Sequence, residues 1–231
     1  MNNDLRIAVS LKTVSKSFKT GGETVNILNN ADLEIARGGT LAITGESGTG
    51  KSTLLHIAGT LLKPDKGAVR YFENTDIYSL NDKKLSKFRN ESVGFVFQFH
   101  YLLNEFSCLE NVAMPLYIKN SQKSKALKEA RELLGELGLG HRLDFKPYQL
   151  SGGEQQRTAI ARALIGSPEV ILMDEPTGNL DPFHAEKIHS LIMDLNKKYQ
   201  RTLIVVTHDE DFSNMMDEKI KIEGGAIRRI N

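Results

Sequence analysis

A glycine-rich turn between an apolar strand and an apolar helix is the first feature of this sequence that could do chemistry. The string GESGTGKS at residues 45–52 matches the pattern G-x-x-x-x-G-K-[ST] of phosphate-binding loops. Glycines let successive backbone N–H groups turn inward around phosphate oxygens, and the helix N-terminus adds a favourable potential. Lys51 would reach the β- and γ-phosphates of a nucleotide, and the Ser52 hydroxyl would bind Mg²⁺.

An ordinary glycine-rich turn without a ligand is the alternative, but Gly-Lys-Ser at the start of a helix favours phosphate binding. We therefore predict that the whole loop and the first residue after it contact the nucleotide. These residues are Gly45, Glu46, Ser47, Gly48, Thr49, Gly50, Lys51, Ser52 and Thr53.

Two adjacent carboxylates follow a second apolar strand, at residues 170–173. A strand end beside a phosphate loop is where a second Mg²⁺ ligand is needed, and Asp174 fits that role. Glu175 points elsewhere and could polarise the water that attacks the γ-phosphate. Asp-Glu after an apolar run is by itself a common strand end, so this prediction depends on the phosphate loop.

A third polar cluster is the string LSGGEQQR at residues 150–157. Ser151 and Glu154 form the pattern of a capping box, which begins a helix. Gly152 and Gly153 remove side chains from that helix start and expose N–H groups, so the segment could bind a second anion. A capped helix that needs no ligand explains the pattern equally well.

The elements that position these residues can be read from apolar periodicity. Residues 41–44, 93–97, 170–173 and 203–206 are unbroken apolar runs, which suit parallel strands covered on both faces. The first forty residues have the pattern of β-structure. Gly224 and Gly225 separate two strand patterns in a way typical of a hairpin.

Helical patterns lie between the apolar runs. Residues 126–137 carry one apolar face, and so does the segment that contains Ile188, Ile192 and Leu195, with Asp181-Pro182 as its predicted start. Residues from about 99 to 150 contain no clear strand. We predict an α/β core at 1–98 and 151–231, with an inserted helical subdomain at about 99–150, all within one domain.

Composition excludes some classes of protein. Among 231 residues, 30 Lys and Arg balance 29 Asp and Glu, so nucleic acid is not an expected partner. The lone Cys108 suits a reducing compartment, and we expect it to be buried. The first residues lack a secretory pattern, and no apolar stretch approaches the roughly 20 residues that cross a bilayer. We therefore expect the chain to reach a membrane only through another subunit.

Taken together, these motifs resemble those of the ABC ATPase family, whose LSGGQ-type signature the string at 150–156 matches. Gln98 resembles the family's Q-loop glutamine, GNLD at 178–181 its D-loop, and His208 its switch histidine. Phe18 matches the aromatic residue that stacks on adenine, although the β pattern around it would also suit a core residue. The resemblance covers essentially the whole chain. It implies a P-loop NTPase (RecA-like) core with an antiparallel β portion.

The resemblance also implies a mechanism. Two such subunits meet head to tail, and each ATP lies between one phosphate loop and the signature of the other copy. Ser151 and Gly153 would then contact the γ-phosphate bound to the partner. Glu175 would be the general base, His208 would position the water, and Gln98 would complete the Mg²⁺ and water shell.

The string FQFHYLLNEF at 97–106, followed by LENVAMPL at 109–116, resembles the ATPases of bacterial lipoprotein-releasing systems. MacB-type efflux pumps and the division protein FtsE are close relatives and remain alternatives. Soluble ABC ATPases of DNA repair usually carry coiled-coil insertions or tandem cassettes, which are absent here. The resemblance implies a transmembrane permease as partner and a peripheral position at the cytoplasmic face of the inner membrane. The aromatic cluster at 97–106 suits either subdomain core or a docking groove for that partner.

Overall fold

The structure, a computed structural model, describes residues 7–72 and 75–230, and all elements below lie within those ranges. The strands are β1 (Ile7–Thr20), β2 (Glu23–Ala36), β3 (Thr40–Thr44), β4 (Lys66–Tyr71), β5 (Thr75–Asp76), β6 (Val93–Val96), β7 (Val170–Asp174), β8 (Thr202–Val206), β9 (Glu218–Glu223) and β10 (Ala226–Ile230). The helices are α1 (Lys51–Ala58), α2 (Asp82–Ser92), α3 (Cys108–Ile118), α4 (Lys123–Glu136), α5 (Gly152–Leu164), α6 (Pro182–Tyr199) and α7 (Glu210–Asn214), with short 3₁₀ turns at Ile77–Ser79 and Pro147–Gln149.

Two sheets form the α/β body. The antiparallel sheet has the strand order β2-β1-β4-β5, and the second sheet has the order β10-β9-β3-β8-β7-β6. The second sheet is parallel from β6 to β9, and only β10 runs antiparallel, as the partner of β9 in a hairpin. The β-structure predicted for the first forty residues is confirmed from residue 7 onward, since residues 1–6 lie outside the described residues, and the hairpin around Gly224 is confirmed too.

Parallel pairing brings the predicted site residues to one edge. The phosphate loop follows β3, Glu175 follows β7, and His208 lies just beyond β8, while Gln98 comes two residues after β6. Because these strands are parallel, their carboxyl ends meet at the same edge, where ligands bind in open α/β sheets. The sheet thus gathers residues that are far apart in the chain.

The parallel sheet separates two hydrophobic cores. Ala42 and Val205 pack with buried residues of α3, α4, α5 and α6. Ile43 and Ile204 face the other way, toward α1 and the antiparallel sheet. Neighbouring residues of β3 and β8 therefore point to opposite faces, as the strand period of two requires. Apolar residues at successive positions satisfy both faces, which explains the unbroken runs in the sequence.

The segment between β6 and β7 is helical. No strand occurs at residues 97–169, all of which the structure describes, and α3 and α4 lie there. A capping box between Ser107 and Glu110 begins α3, and α4 accounts for the helix predicted at 126–137. Cys108 is fully buried, as expected. Among the described residues, none of the helices has the length and apolar character that crossing a bilayer demands.

Candidate active site

The backbone of the phosphate loop can be built only with glycine at several positions. Gly45, Gly48 and Gly50 have φ angles of 132°, 81° and 101°, a region that side chains with a Cβ rarely enter. A Cβ on Gly45 would lie 2.9 Å from the carbonyl oxygen of Ile222, and one on Gly50 would lie 2.7 Å from Cγ2 of Ile27. The glycines therefore allow both the curvature of the loop and its close packing on β9 and β2.

Lys51 projects over this loop. Its Nζ donates hydrogen bonds to the carbonyl oxygens of Gly45 and Glu46, each at 2.8 Å. The side chain is only 6% exposed. Burial lowers the pKa of Lys51, while the nearby carboxylates of Glu175 and Asp174 act in the opposite direction. An ammonium group held against the backbone of a phosphate loop is well placed to meet phosphate oxygens.

Ser52 and Asp174 form an oxygen pair between the loop and β7. The Ser52 hydroxyl donates a hydrogen bond of 3.0 Å to Oδ1 of Asp174, and Nε2 of His56 lies 3.7 Å from Oδ2. Hydroxyl and carboxylate oxygens suit Mg²⁺, which is commonly bound by one or two protein groups together with substrate phosphates. The described residues contain no cluster of three or more His, Cys, Asp or Glu side chains that could hold a metal. The oxygens of Ser52 and Asp174 fit the two protein ligands of a phosphate-bound Mg²⁺.

Glu175 and His208 face each other at the ends of β7 and β8. Oε1 of Glu175 lies 3.0 Å from Nε2 of His208, without the alignment of a hydrogen bond. The backbone N–H of His208 donates to Oε2 of Glu175 at 3.3 Å. Burial raises the pKa of Glu175, and His208 opposes that rise. A carboxylate with a raised pKa is a better proton acceptor, which suits a general base.

Gln98 lies against the loop that follows Glu175. Nδ2 of Asn179 donates a hydrogen bond of 2.9 Å to the carbonyl oxygen of Gln98. A Cβ on Gly178 would lie only 3.1 Å from Nε2 of Gln98. The glutamine predicted from the resemblance is therefore brought against the loop that follows Glu175, although it comes from a different strand.

The signature segment begins α5, and the predicted capping box is confirmed. The Ser151 side chain accepts from the N–H of Glu154, and Oε2 of Glu154 accepts from the N–H of Ser151 at 2.8 Å. Nε of Arg142 donates to the other carboxylate oxygen at 2.8 Å. Burial opposes ionisation of Glu154, but the hydrogen bonds from Ser151 and Arg142 prevail and hold its pKa at about 2.

This signature segment is only partly at the surface. Ser151 and Gly152 are exposed, and a Cβ on Gly153 would lie 3.9 Å from Cδ2 of His184. Among the residues that the structure describes, no hydrogen bond or ion pair joins residues 151–154 to residues 45–52. The helix start is therefore exposed at Ser151 and Gly152, whereas Gly153 is buried.

Phe18 is not a core residue, so the alternative interpretation of its β pattern is wrong. It is 40% exposed and pairs with Val25 across the β1–β2 hairpin. Two residues further along β2, Ile27 touches the phosphate loop at Gly50. Nζ of Lys16 lies 5.5 Å from the centre of the Phe18 ring. An exposed ring on a hairpin that touches the loop is available to stack on a flat ligand.

Two polar residues that contact the site residues were not predicted from the sequence. His56 faces Asp174, and its spacing of i+4 from Ser52 on α1 is a signal that could have revealed it. Arg142 supports Glu154 from outside its own helix. No local pattern marks that contact, because it depends on how the loop after α4 folds back onto α5.

Comparisons with known proteins agree with this geometry. A family profile described as ABC transporter matches residues 28–178. The chain is 49% identical over 218 residues to the lipoprotein-releasing system ATP-binding protein LolD of Colwellia psychrerythraea, covering 94% of this chain and 84% of the relative. It is 50% identical over 214 residues to LolD of Geobacter metallireducens, covering 93% and 95%.

Solved structures give the same result. The dimeric, post-hydrolysis ATP-binding cassette MJ0796, bound to ADP and Pi, aligns with a TM-score of 0.88 at 41% identity, covering 96% of this chain and 98% of that one. The predicted P-loop NTPase core with an antiparallel β portion and helical insertion is thereby confirmed. The phosphate loop, the paired carboxylates and the signature together identify the chain as a member of the ABC transporter family, an ATP-binding and ATP-hydrolysing transporter subunit.

Proposed function

We propose that this chain powers a lipoprotein-releasing ABC transporter at the cytoplasmic face of the bacterial inner membrane. The observation that carries the hydrolytic part is the approach of Glu175 to His208, 3.0 Å apart at the edge that also holds the phosphate loop. The transport part is supported by relatives named as lipoprotein-releasing ATPases, which align over more than nine-tenths of this chain. The chain would contact the membrane only through its partner.

Hydrolysis would use groups on four strand ends. Lys51 and the loop N–H groups would hold the phosphates of ATP, and the exposed ring of Phe18 would stack on adenine. Glu175 would accept a proton from the attacking water, while His208 would orient that water and contact the γ-phosphate. Gln98 would complete the shell around the water. Most of the rate gain would come from positioning and charge stabilisation.

Ser52 and Asp174 would hold Mg²⁺, because their oxygens already lie 3.0 Å apart beside the loop. When bound, the ion would neutralise negative charge on the β- and γ-phosphates.

The exposed start of the signature segment, at Ser151 and Gly152, supports a head-to-tail homodimer. Ser151, Gly152 and Gly153 would offer N–H and hydroxyl groups to the γ-phosphate held by the other copy. Glu154 would act through its capping box, since both its carboxylate oxygens already accept hydrogen bonds. The solved relative MJ0796 is dimeric, which supports a dimer here.

An apolar groove supports a permease as the membrane partner. The groove has a volume of about 510 Å³, and its apolar lining includes Leu61, Val93, Phe95, Phe97, Tyr101 and Ile118. Tyr101 is 62% exposed, so this member of the aromatic cluster is not subdomain core, and Ile118 on α3 is 65% exposed. Phe97 directly precedes Gln98 and Tyr101 follows it by three residues, so a docked coupling helix would contact the segment that carries Gln98. Phe99 is also exposed but lies outside the lining.

This groove runs between the two parts of a single domain. We propose the α/β core as residues 1–98 and 151–231, of which residues 1–6, 73–74 and 231 lie outside the described ones, and the helical subdomain as about 99–150. Val93 and Phe95 line the groove from β6 in the core, and Ile118 lines it from α3 in the subdomain. A change in the angle between the two parts would therefore alter the shape of the groove.

Reconstitution tests the transport assignment. The chain would be co-purified with its membrane partner, placed in proteoliposomes that contain a lipid-modified protein, and supplied with ATP. We expect the lipidated protein to leave the vesicles for a soluble acceptor, and Glu175→Gln in the same complex should abolish this release. Hydrolysis without release, together with export of another cargo, would refute the lipoprotein assignment and leave the ATPase assignment intact.

A further inference from the structure

A buried histidine on α6 contacts both segments that carry the proposed hydrolytic pair. His189 is 5% exposed. Its Nε2 lies 2.9 Å from the hydroxyl oxygen of Thr177, and its ring stacks on Phe212 with centroids 4.0 Å apart and planes 5° apart. Thr177 comes two residues after Glu175, and Phe212 comes four residues after His208.

Packing alone does not explain an imidazole at this position. His189 belongs to the buried face of α6, together with Ala185, Ile188, Ile192 and Leu195, where a hydrocarbon side chain would fill the space. Thr177 is also buried, with 8% exposure. Buried polar groups require hydrogen-bond partners. The hydroxyl of Thr177 and the imidazole of His189 are hydrogen-bonded to each other. The pair therefore connects α6 specifically to the loop that follows Glu175.

The Thr177 end of this connection anchors the turn that follows Glu175. Glu175 has a φ of 46°, and its carbonyl oxygen accepts from the N–H of Gly178 at 3.1 Å. The carbonyl oxygen of Thr177 accepts from the N–H of Leu180 at 3.0 Å. The side chain of Thr177 therefore ties a tight turn to α6, and the direction of the Glu175 carboxylate depends on that turn.

The Phe212 end anchors the segment that follows His208. The N–H of Phe212 donates to Oδ1 of Asp209 at 2.7 Å, and the N–H of Asp209 donates to the hydroxyl of Thr207 at 3.0 Å. His208 lies between these two capping residues. Fixing the ring of Phe212 therefore fixes the backbone on both sides of His208.

We propose that His189 is a positioning residue for ATP hydrolysis, which holds the Glu175 turn and the His208 segment at a fixed separation. This inference rests on the roles proposed above for Glu175 and His208. Burial lowers the pKa of His189, although the carboxylates of Asp209, Asp211 and Glu186 act in the opposite direction. A neutral imidazole suits both the stack on Phe212 and the bond to the Thr177 hydroxyl.

The hydrogen bond can be removed from either side. Thr177→Val deletes the hydroxyl at nearly constant volume, and His189→Phe keeps a flat ring over Phe212 but cannot form the bond. We expect each to lower kcat for ATP hydrolysis about fivefold to tenfold, because the loss of one hydrogen bond should let the Glu175 turn leave its catalytic position. KM for ATP should stay near the parent value, because neither variant touches the phosphate loop or Phe18.

Three further variants make the result specific. Thr177→Ser keeps the hydroxyl and should restore most of kcat. The double variant should be no slower than the slower single variant, because both changes remove the same bond. Ile192→Val removes a methyl group from the same buried face of α6 without touching either loop, and its kcat should equal that of the parent.

Two outcomes would overturn the inference. One is a folded Thr177→Val protein with the parent's kcat, and the other is a loss of kcat that Ile192→Val shares or that follows the unfolded fraction in thermal denaturation. Glu175→Gln separates this inference from the proposed function. If Glu175→Gln is inactive while Thr177→Val is normal, only the role of His189 fails. If Glu175→Gln hydrolyses ATP normally, the proposed hydrolytic pair itself fails.

Discussion

Glu175 has a backbone conformation that residues other than glycine seldom adopt. Its φ of 46° costs about 1–3 kcal/mol and persists only where the surroundings enforce it. Here the N–H of Glu175 donates to the carbonyl oxygen of Val206 at 3.0 Å, and its own carbonyl oxygen accepts from Gly178. The strained residue is thus held on both sides, with its carboxylate only 16% exposed and beside His208. Strain at this position is consistent with a carboxylate that must point at one target.

Glu175→Gln tests that role directly. The amide keeps the shape of the side chain but cannot accept a proton at neutral pH, so kcat should fall by roughly 10²-fold or more. ATP binding should persist because the phosphate contacts remain, and size-exclusion chromatography with ATP should show a dimer. Glu132→Gln, on a side chain that is 65% exposed, is the matched control and should behave as the parent. Normal turnover in Glu175→Gln would exclude this carboxylate as the base.

The identities of the site residues could be predicted from the sequence, but several of their contacts could not. The loop at 45–52 and the carboxylates at 174 and 175 carry their chemistry in short strings. The bond between Thr177 and His189 joins a loop to a helix, and a histidine among apolar residues of α6 gives no local sign of it. Such contacts depend on tertiary packing, which periodicity does not encode.

At the scale of elements, the start of α5 combines two capping interactions with an ion pair. Glu154 accepts from the N–H of Ser151 and from Nε of Arg142. These donors satisfy a group that would otherwise be costly to bury, and they fix the glycines of the signature at the helix start. The same carboxylate therefore links the position of the signature to the loop after α4.

Glu154 should make stability depend on pH. Its folded pKa of about 2 lies below the ordinary value of 4.5, so its contribution is present above about pH 4.5 and is lost as the pH falls toward 2. Glu154→Gln lacks this charge. We expect the parent to have the higher Tm at pH 7, and the difference between the two proteins should shrink steadily between pH 4.5 and pH 2. A difference that does not change over this range would show that the ionised carboxylate of Glu154, with its bonds to Ser151 and Arg142, does not stabilise the fold.

Helices that bury an apolar face could be predicted from the sequence, whereas an exposed helix and the pairing of the antiparallel strands could not. The sequence predicts α6 from its capping residue Asp181 and from a clear apolar face. In the structure the side chain of Asp181 accepts a hydrogen bond from the N–H of His184. α2 has no buried residue, so its sequence carries no apolar stripe to reveal it. The order of strands in the antiparallel sheet was also beyond prediction, because β1 pairs with β2 through several register shifts. Pairing across such irregularities depends on side chains of the opposite strand.

At the scale of the whole molecule, the apolar groove and the nucleotide site share one segment of chain. Phe97 stacks on Phe95 with centroids 4.4 Å apart and meets Tyr101 edge-on at 5.1 Å. Gln98 lies between these aromatic residues and contacts the loop after Glu175. A helix docked in the groove would therefore press on residues directly attached to the nucleotide site, which gives coupling a physical route.

Ile118→Ala and Tyr101→Ala test whether the groove holds the membrane partner. Both side chains line the groove and are largely exposed, so truncation should cost the free chain little stability. If they anchor a coupling helix, each should weaken the complex by about tenfold or more, as loss of a central apolar anchor does. Co-purification with the permease and ATPase stimulation by it would measure the loss, while ATPase activity of the free chain should match the parent.

Tyr148→Ala is the matched control, because Tyr148 is 72% exposed and outside the groove lining. If a groove variant still binds its partner normally, the docking surface lies elsewhere. If a variant loses the ATPase activity of the free chain, the aromatic segment supports the fold and not the binding of the partner.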